Sequence, residues 1–295
     1  MSRRTAMLAV MISLFFFSFF YRTAPAVISP DLLREFSLGA EKLGLLSSIF
    51  FLVFAVAQVP LGPALDLLGP RTVVSVLGTL GALGSLTFAL APSYDICLLG
   101  RGLTGLGMSC MYMGTLTLVA HWYPPRQFAT LTGIVSSLGN TGALTATLPL
   151  ALLAGSLGWR GSFHLFAAVN FLLAVLAWVI IRDRPPGAAV PPVLPSENFS
   201  LGKAFRAVLG TPTFWCIAIL NFFTAGSFLA FQGLWGGPFL MDGFGLSPVK
   251  AGSVLSMIAV GYIIGCPLTG MLSDRWVPSR KKLTLVVLSL YLIPL

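Results

Sequence analysis

An all-α bundle of membrane-spanning helices is the fold this sequence predicts, and three observations predict it. Of its 295 residues 56% are hydrophobic and only 9% are charged, far below the roughly 25% charge of an ordinary soluble chain. The apolar residues gather into runs of about 20, the length a helix needs to cross a 30 Å hydrocarbon layer. The basic residues concentrate in alternate breaks between those runs, as they do in the cytoplasmic loops of polytopic proteins.

Residues 1–28 open with Met1-Ser2-Arg3-Arg4 and a Phe-rich apolar run. Ala24-Pro25-Ala26 looks like a signal-peptide cleavage site, but Arg22 interrupts the run where such a region is uncharged. A retained first helix is expected, with Arg22 only a few residues from its outer end. Further spans are expected at 43–62, 72–92, 96–120, 128–155 and 161–181, completing an amino-terminal six-helix bundle over 1–181. Residues 182–210 contain Pro185, Pro186, Pro191, Pro192 and Pro195 and read as a linker with a short amphipathic helix from Leu201 to Leu209. Spans at 213–240 and 250–270, and the start of a ninth near Leu283, make a partial carboxy-terminal bundle over 211–295.

Twelve of the 18 Lys and Arg residues fall in alternate loops on one side; Arg34, Lys42, Arg160 and Lys250 fall on the other, and Arg22 and Arg101 lie within spans. The amino terminus and the linker are therefore expected in the cytoplasm and the chain in a cell membrane, inner or plasma. The net charge of +9 is this orientation signal, so no nucleic-acid partner is needed. The sequon Asn198-Phe199-Ser200 lies in the cytoplasmic linker, and Gly100-Arg101-Gly102-Leu103-Thr104-Gly105 matches a dinucleotide fingerprint without a strand before it; both read as coincidences. Cys97, Cys110, Cys216 and Cys266 lie in apolar runs without metal-ligand spacing. Neither a metal nor a cofactor is expected. No acidic residue lies inside a span and no Ser, His and Asp constellation is apparent, so an enzyme is not expected either.

Between the second and third spans lies Gly62-Pro63-Ala64-Leu65-Asp66-Leu67-Leu68-Gly69-Pro70-Arg71. Its Gly and Pro residues break helices, and its charges place it at a membrane face. The pattern Gly-x-x-x-Asp-x-x-Gly-x-Arg resembles the loop between helices 2 and 3 of the major facilitator superfamily of transporters. Gly62, Asp66 and Pro70 recur as Gly270, Asp274 and Pro278 at one offset of 208, as expected of two pseudo-symmetric halves. Arg101-x-x-x-Gly105-x-Gly107 and His121-Trp122-Tyr123-Pro124-Pro125-Arg126 resemble the family's helix 4 motif and the turn before its helix 5. The superfamily has 12 helices; eight and the start of a ninth are expected here, with the second half stopping in helix 9 and helices 10 to 12 absent. Residues 133–155 lack the Gly-Pro-rich motif of proton-coupled drug exporters. Residues 21–61 look somewhat like lysosomal dipeptide transporter-like proteins and organic anion carriers.

The resemblance implies a secondary transporter of a small polar or anionic organic solute working by alternating access, with a proton or counter-ion as coupling partner. A non-transporting fragment, a transporter-like receptor, or transport of a dipeptide or neutral metabolite are the alternatives. It implies gating roles for Gly62, Asp66, Gly69, Arg71 and Asp274, with Asp66 facing the positive end of helix 11. For Arg101, with Gly105 and Gly107, it implies proton coupling or the holding of neighbouring helices. Arg22 either snorkels to the surface or faces the cavity and attracts an anion, there being no intramembrane carboxylate to neutralise it. His164 is a weaker proton-carrier candidate. The series Gly78, Gly81, Gly84 and the pair Gly261 and Gly265 are expected to let helix backbones approach closely, and Phe15 to Phe17 and Trp235 face either lipid or cavity.

Overall fold

The computed structural model describes residues 3–186, 201–231, 236–246 and 248–275, and every regular element among them is helical. In order these are α1 (Arg3–Phe36), α2 (Ala40–Leu90), α3 (Tyr94–Met108), α4 (Met111–Trp122), α5 (Phe128–Thr145), α6 (Leu148–Ile180), α7 (Leu201–Leu209), α8 (Pro212–Ala230), α9 (Gly236–Phe244) and α10 (Pro248–Arg275). Among the described residues, the stretches Arg3–Phe36, Glu41–Leu90, Tyr94–Trp122 and Pro149–Ile180 are long and apolar enough to cross a membrane. The ninth span, Trp235, Pro278 and most of the linker prolines lie outside the described residues. Two compact units are distinguished: 1–188 with 263–295, and 189–262. The second holds α7, α8, α9 and α10 as far as Tyr262.

Within the first unit the expected spans 96–120 and 128–155 are each broken, between α3 and α4 and between α5 and α6, and two further differences bear on the site. Helix α1 continues to Phe36, straight through Pro25 and Pro30, so Arg22 lies well inside it. Proline lacks the N–H that would bond the carbonyl four residues back, and α1 survives because side chains replace both lost donors. The Tyr21 carbonyl, freed by Pro25, accepts from Arg101 Nη1 at 2.7 Å. The Ala26 carbonyl, freed by Pro30, accepts from Ser29 Oγ at 2.8 Å. Such replacement is what makes proline tolerable in a membrane helix.

The second difference is the predicted loop at 62–71. Helix passes through Pro60 and Pro63 as far as Leu68, and the chain reverses at Gly69 alone, with φ 77° and ψ 156°. Glycine is required there twice over: a side chain is strained at that φ, and a Cβ would sit 2.6 Å from the Asp183 carboxyl carbon. A matching turn at Gly158, φ 72°, divides α6 and presents Trp159 and Arg160. Glu35 on α1 accepts from Arg160 Nη2 at 2.6 Å and from Trp159 Nε1 at 2.8 Å. The same guanidinium donates to the Ala89 and Ala91 carbonyls at the end of α2, clamping one end of α1, α2 and α6.

The packing of α2 on α3 and α6 supplies much of the core. A Cβ on Gly107 would overlap the Gly81 backbone, one on Gly81 would meet the Met108 methyl, and a Cβ at Gly84 would lie 2.5 Å from the Thr104 nitrogen. Lipid gives helices no hydrophobic reason to associate, so close backbone contact of this kind carries the van der Waals attraction. Phe15 and Phe17 are buried, Phe15 stacking on Tyr112 with centroids 5.0 Å apart. Gly107→Val should therefore force α2 and α3 apart and destabilise the bundle by about 1–3 kcal/mol. Thermal unfolding in detergent checks this, with an unchanged midpoint as the contrary result.

Candidate functional site

Arg22 lies in a helix that continues 14 residues beyond it to Phe36, about 21 Å at the helical rise. The end of α1 is out of its reach, which corrects the expected position near the outer end. Its guanidinium carbon lies 5.0 Å from the Phe19 ring centre and 4.6 Å from that of Phe54. Its Nε is buried and has no hydrogen-bond partner among the described residues. Neither of the ion pairs Arg34 with Asp31 and Arg160 with Glu35 involves it, and no carboxylate among the described residues neutralises it. Two ring faces contribute about 0.5–2 kcal/mol each, less than the several kcal/mol that desolvating the ion costs. The electrostatic demand of this half-buried charge is thus met only in part by the described residues. Nearby, the run of helix from α3 to α4 breaks at Ser109 and Cys110; Gln58 Nε2 donates to the Ser109 carbonyl at 2.9 Å.

Arg101 is 1% exposed, and its charge meets no acid among the described residues either. It donates to the Tyr21 carbonyl at 2.7 Å and the Leu46 carbonyl at 3.4 Å, and lies 4.8 Å over Phe50. From α3 it therefore holds both α1 and α2, gripping α1 one residue before Arg22. Gly105 and Gly107 extend the same contact: a Cβ at Gly105 would lie 2.5 Å from the Phe50 carbonyl oxygen. His164 Nδ1 lies 2.8 Å from the Arg160 carbonyl on its own helix.

The turn residues separate into those that are tied down and those that are not. Gly62 has open space where its Cβ would be. Asp66 is exposed and forms no ion pair among the described residues. Arg71 is fixed: its Nε donates to the Trp178 carbonyl at 2.8 Å, its guanidinium lies 4.4 Å over the Trp178 ring, and its backbone N–H donates to Asp183 at 2.7 Å. Asp183 thereby caps the helix that starts after Gly69, with His121 Nδ1 3.0 Å from its backbone carbonyl. Sequence reasoning missed Asp183; its signal was an acid flanked by Arg182 and Arg184 just past the last apolar residue of a span.

Asp274 makes the contact that the resemblance implies for Asp66, with a different helix. Its carboxylate accepts from the backbone N–H groups of Thr130 at 2.7 Å and Ala129 at 3.4 Å, at the amino end of α5. Above this cap α10 and α5 run in contact. Cβ atoms at Gly270 and Gly133 would overlap the Ala129 and Cys266 carbonyls, and Ser137 Oγ donates to the Ile263 carbonyl at 2.6 Å. That carbonyl is the one Pro267 frees. The close-approach glycine of α10 is thus Gly270; Gly261 and Gly265 have nothing near their Cβ positions among the described residues.

The profile of the Major Facilitator Superfamily matches residues 10–295. The chain belongs to this superfamily. Over 262 residues it is 27% identical to the hexuronate transporter of Bacillus subtilis (strain 168), covering 86% of this chain and 60% of that protein. It is 25% identical to the probable sulfoacetate transporter SauU of Cupriavidus necator, covering 92% of this chain and 65% of the relative. A bacterial homologue of the human lysosomal transporter Spinster, in an inward-facing and unoccupied conformation, shares the fold with a TM-score of 0.62 at 23% identity, over 92% of this chain and 60% of its own. The chain thus spans less than two thirds of the length of these relatives. Like other members of the superfamily it is a multi-pass membrane protein.

Arg101 has a specific partner, the carbonyl that Pro25 frees. Replacing Arg101 with Met should destabilise the protein by about 1–3 kcal/mol. The loss should be smaller in a Pro25→Ala background, where the backbone N–H restored at that position can bond the Tyr21 carbonyl instead. A double-mutant cycle on thermal unfolding reads the difference; strictly additive effects would contradict the pairing.

Proposed function

We propose that this chain carries the substrate-binding and gating parts of a secondary transporter for a small organic anion, working by alternating access. The single observation behind the substrate class is Arg22: a half-buried guanidinium against two phenyl rings, with its buried Nε left without a partner and no ion pair among the described residues. A carboxylate or sulfonate on the substrate would supply the missing charge and accept from the planar fork. The names of the relatives, a hexuronate transporter and a probable sulfoacetate transporter, support the same class. Arg101 acts by holding α1 in register, so that Arg22 stays on the pathway.

In this proposal the halves at 1–181 and 211–295 pivot about the linker at 182–210, and a proton or counter-ion drives the cycle. Asp274 of α10, docked against the amino end of α5, is one inner latch. Asp66, exposed and without an ion pair among the described residues, is its counterpart for a helix amino end of the second half, with Gly62, Gly69 and Arg71 setting its turn. The amino terminus and the basic loops face the cytoplasm of a plasma or inner membrane, as the positive-inside rule directs.

Binding of a hexuronate to the purified protein tests the reading. Losing a charge-assisted hydrogen bond of about 1.5–3 kcal/mol should weaken affinity roughly 10- to 150-fold in Arg22→Ala, and less in Arg22→Lys, by isothermal titration. Unaltered affinity in Arg22→Ala contradicts the anion site. Binding without accumulation in proteoliposomes contradicts transport.

A further inference from the structure

Helix α7 in the second unit takes no part in the anion site or the latches above. Its nine residues, Leu-Gly-Lys-Ala-Phe-Arg-Ala-Val-Leu, divide cleanly by helical register. Leu201, Ala204, Phe205, Val208 and Leu209 recur at the three- and four-residue spacing of one face, and Lys203 and Arg206 fall on the other. Val208 and Leu209 are 48% and 46% exposed, so this apolar face is not covered at its carboxy end by the described residues. Between Glu197 and Asp242 the sequence has no acidic residue, which leaves the two basic residues of α7 unbalanced over a long stretch.

The direction of α7 is set by a short, fully bonded corner. Gly210 N–H donates to the Arg206 carbonyl at 2.9 Å, and Thr211 donates to the Val208 carbonyl through its N–H and to the Ala207 carbonyl through its hydroxyl. Trp215, in the first turn of α8, reaches back and donates its indole N–H to the Leu209 carbonyl at 2.7 Å. Every carbonyl from 206 to 209 is thereby occupied, and Pro212 starts α8 at once. Helix α8 belongs to the apolar span read at 213–240, so α7 leaves it where that span meets water. Trp215 and Phe214, 51% and 36% exposed, mark the same level, since Trp is the residue that favours the bilayer interface.

We propose that α7 is an interfacial anchor that lies in the inner leaflet, apolar face among the acyl chains, and selects anionic phospholipid through Lys203 and Arg206. The occupant follows from charge: a cationic helix rim at a bilayer surface matches the anionic headgroups of the cytoplasmic leaflet, and a strongly amphipathic helix beside a span settles a few ångströms into the headgroup boundary. The anchor rests on the cytoplasmic placement of the linker proposed above. It fixes the linker end of α8 relative to the membrane plane, which gives the moving half a reference surface.

The test uses the full chain in proteoliposomes, with Cys216→Ser removing the exposed cysteine and Val208→Cys carrying a nitroxide. Electron paramagnetic resonance compares accessibility to lipid-soluble oxygen and to a water-soluble nickel complex. In vesicles of phosphatidylcholine with phosphatidylglycerol the label should lie within the headgroup boundary. Lys203→Gln with Arg206→Gln should shift the ratio of inserted to water-exposed label roughly 30-fold toward water, and phosphatidylcholine alone should reproduce that shift in the chain that keeps both charges. A label equally water-exposed in both lipids overturns the anchor, as does insertion indifferent to the two charges. A membrane-impermeant thiol reagent applied to the unlabelled Val208→Cys chain reports its side: reaction from outside only overturns the cytoplasmic orientation, separately from the lipid contact.

Discussion

The amino end of a helix carries about half a positive charge and several backbone N–H groups without partners, and in this protein two such ends at turns are met by carboxylates. Asp183 caps the helix that follows Gly69, and Asp274 caps α5. The first contact joins α6 to α2 and comes with a stacked Arg71 and Trp178; it belongs to a corner held from several sides. The second joins α10 to α5 across a seam of glycine, alanine and serine, in which backbone meets backbone. A dipole contact of this kind contributes about 0.3–2 kcal/mol, a factor of roughly two to thirty in a population. That is strong enough to bias a two-state helix pair and weak enough to be undone by binding elsewhere.

Prolines give the bundle a second organising constraint. Pro25, Pro30 and Pro267 each free a carbonyl inside a helix, and Arg101, Ser29 and Ser137 each fill one. Two of these replacements come from another helix, so a residue that weakens one helix creates a bond between two. Arg101 and Ser137 consequently tie helices at fixed heights, which small-residue packing alone would leave free to slide. Arg101 uses two of its nitrogens in that role and keeps Nη2 unpartnered among the described residues, while Arg22, one residue beyond the gripped carbonyl of α1, keeps its Nε unpartnered.

Much of this was legible in the sequence. Hydropathy and the basic loops disclosed the helices, and the motif around Asp66 with its repeat at Asp274 disclosed the family, because both depend on residue type at fixed spacing. The extent of α1 was not legible, since Pro25 and Pro30 read as breakers until their replacement donors are seen. Nor was the ten-residue loop rightly drawn: Pro60 and Pro63 are carried within helix, and Gly69 alone makes the turn. Asp183 lay hidden because it is distant in sequence from the helix it caps. The pair Gly261 and Gly265 had the right spacing and the wrong neighbours, while Gly270, inside a motif read for its aspartate, carries the close approach.

Reversibility of the contact between α5 and α10 is the claim on which the transport account stands. Nitroxides at position 126, just before α5, and position 275, at the end of α10, allow the separation of the two helix ends joined by Asp274 to be measured by double electron–electron resonance in lipid. The account predicts two distance populations whose ratio changes when a hexuronate is added, with Asp274→Asn moving the ratio toward the longer distance. A single distance, unmoved by ligand and by that substitution, would contradict it.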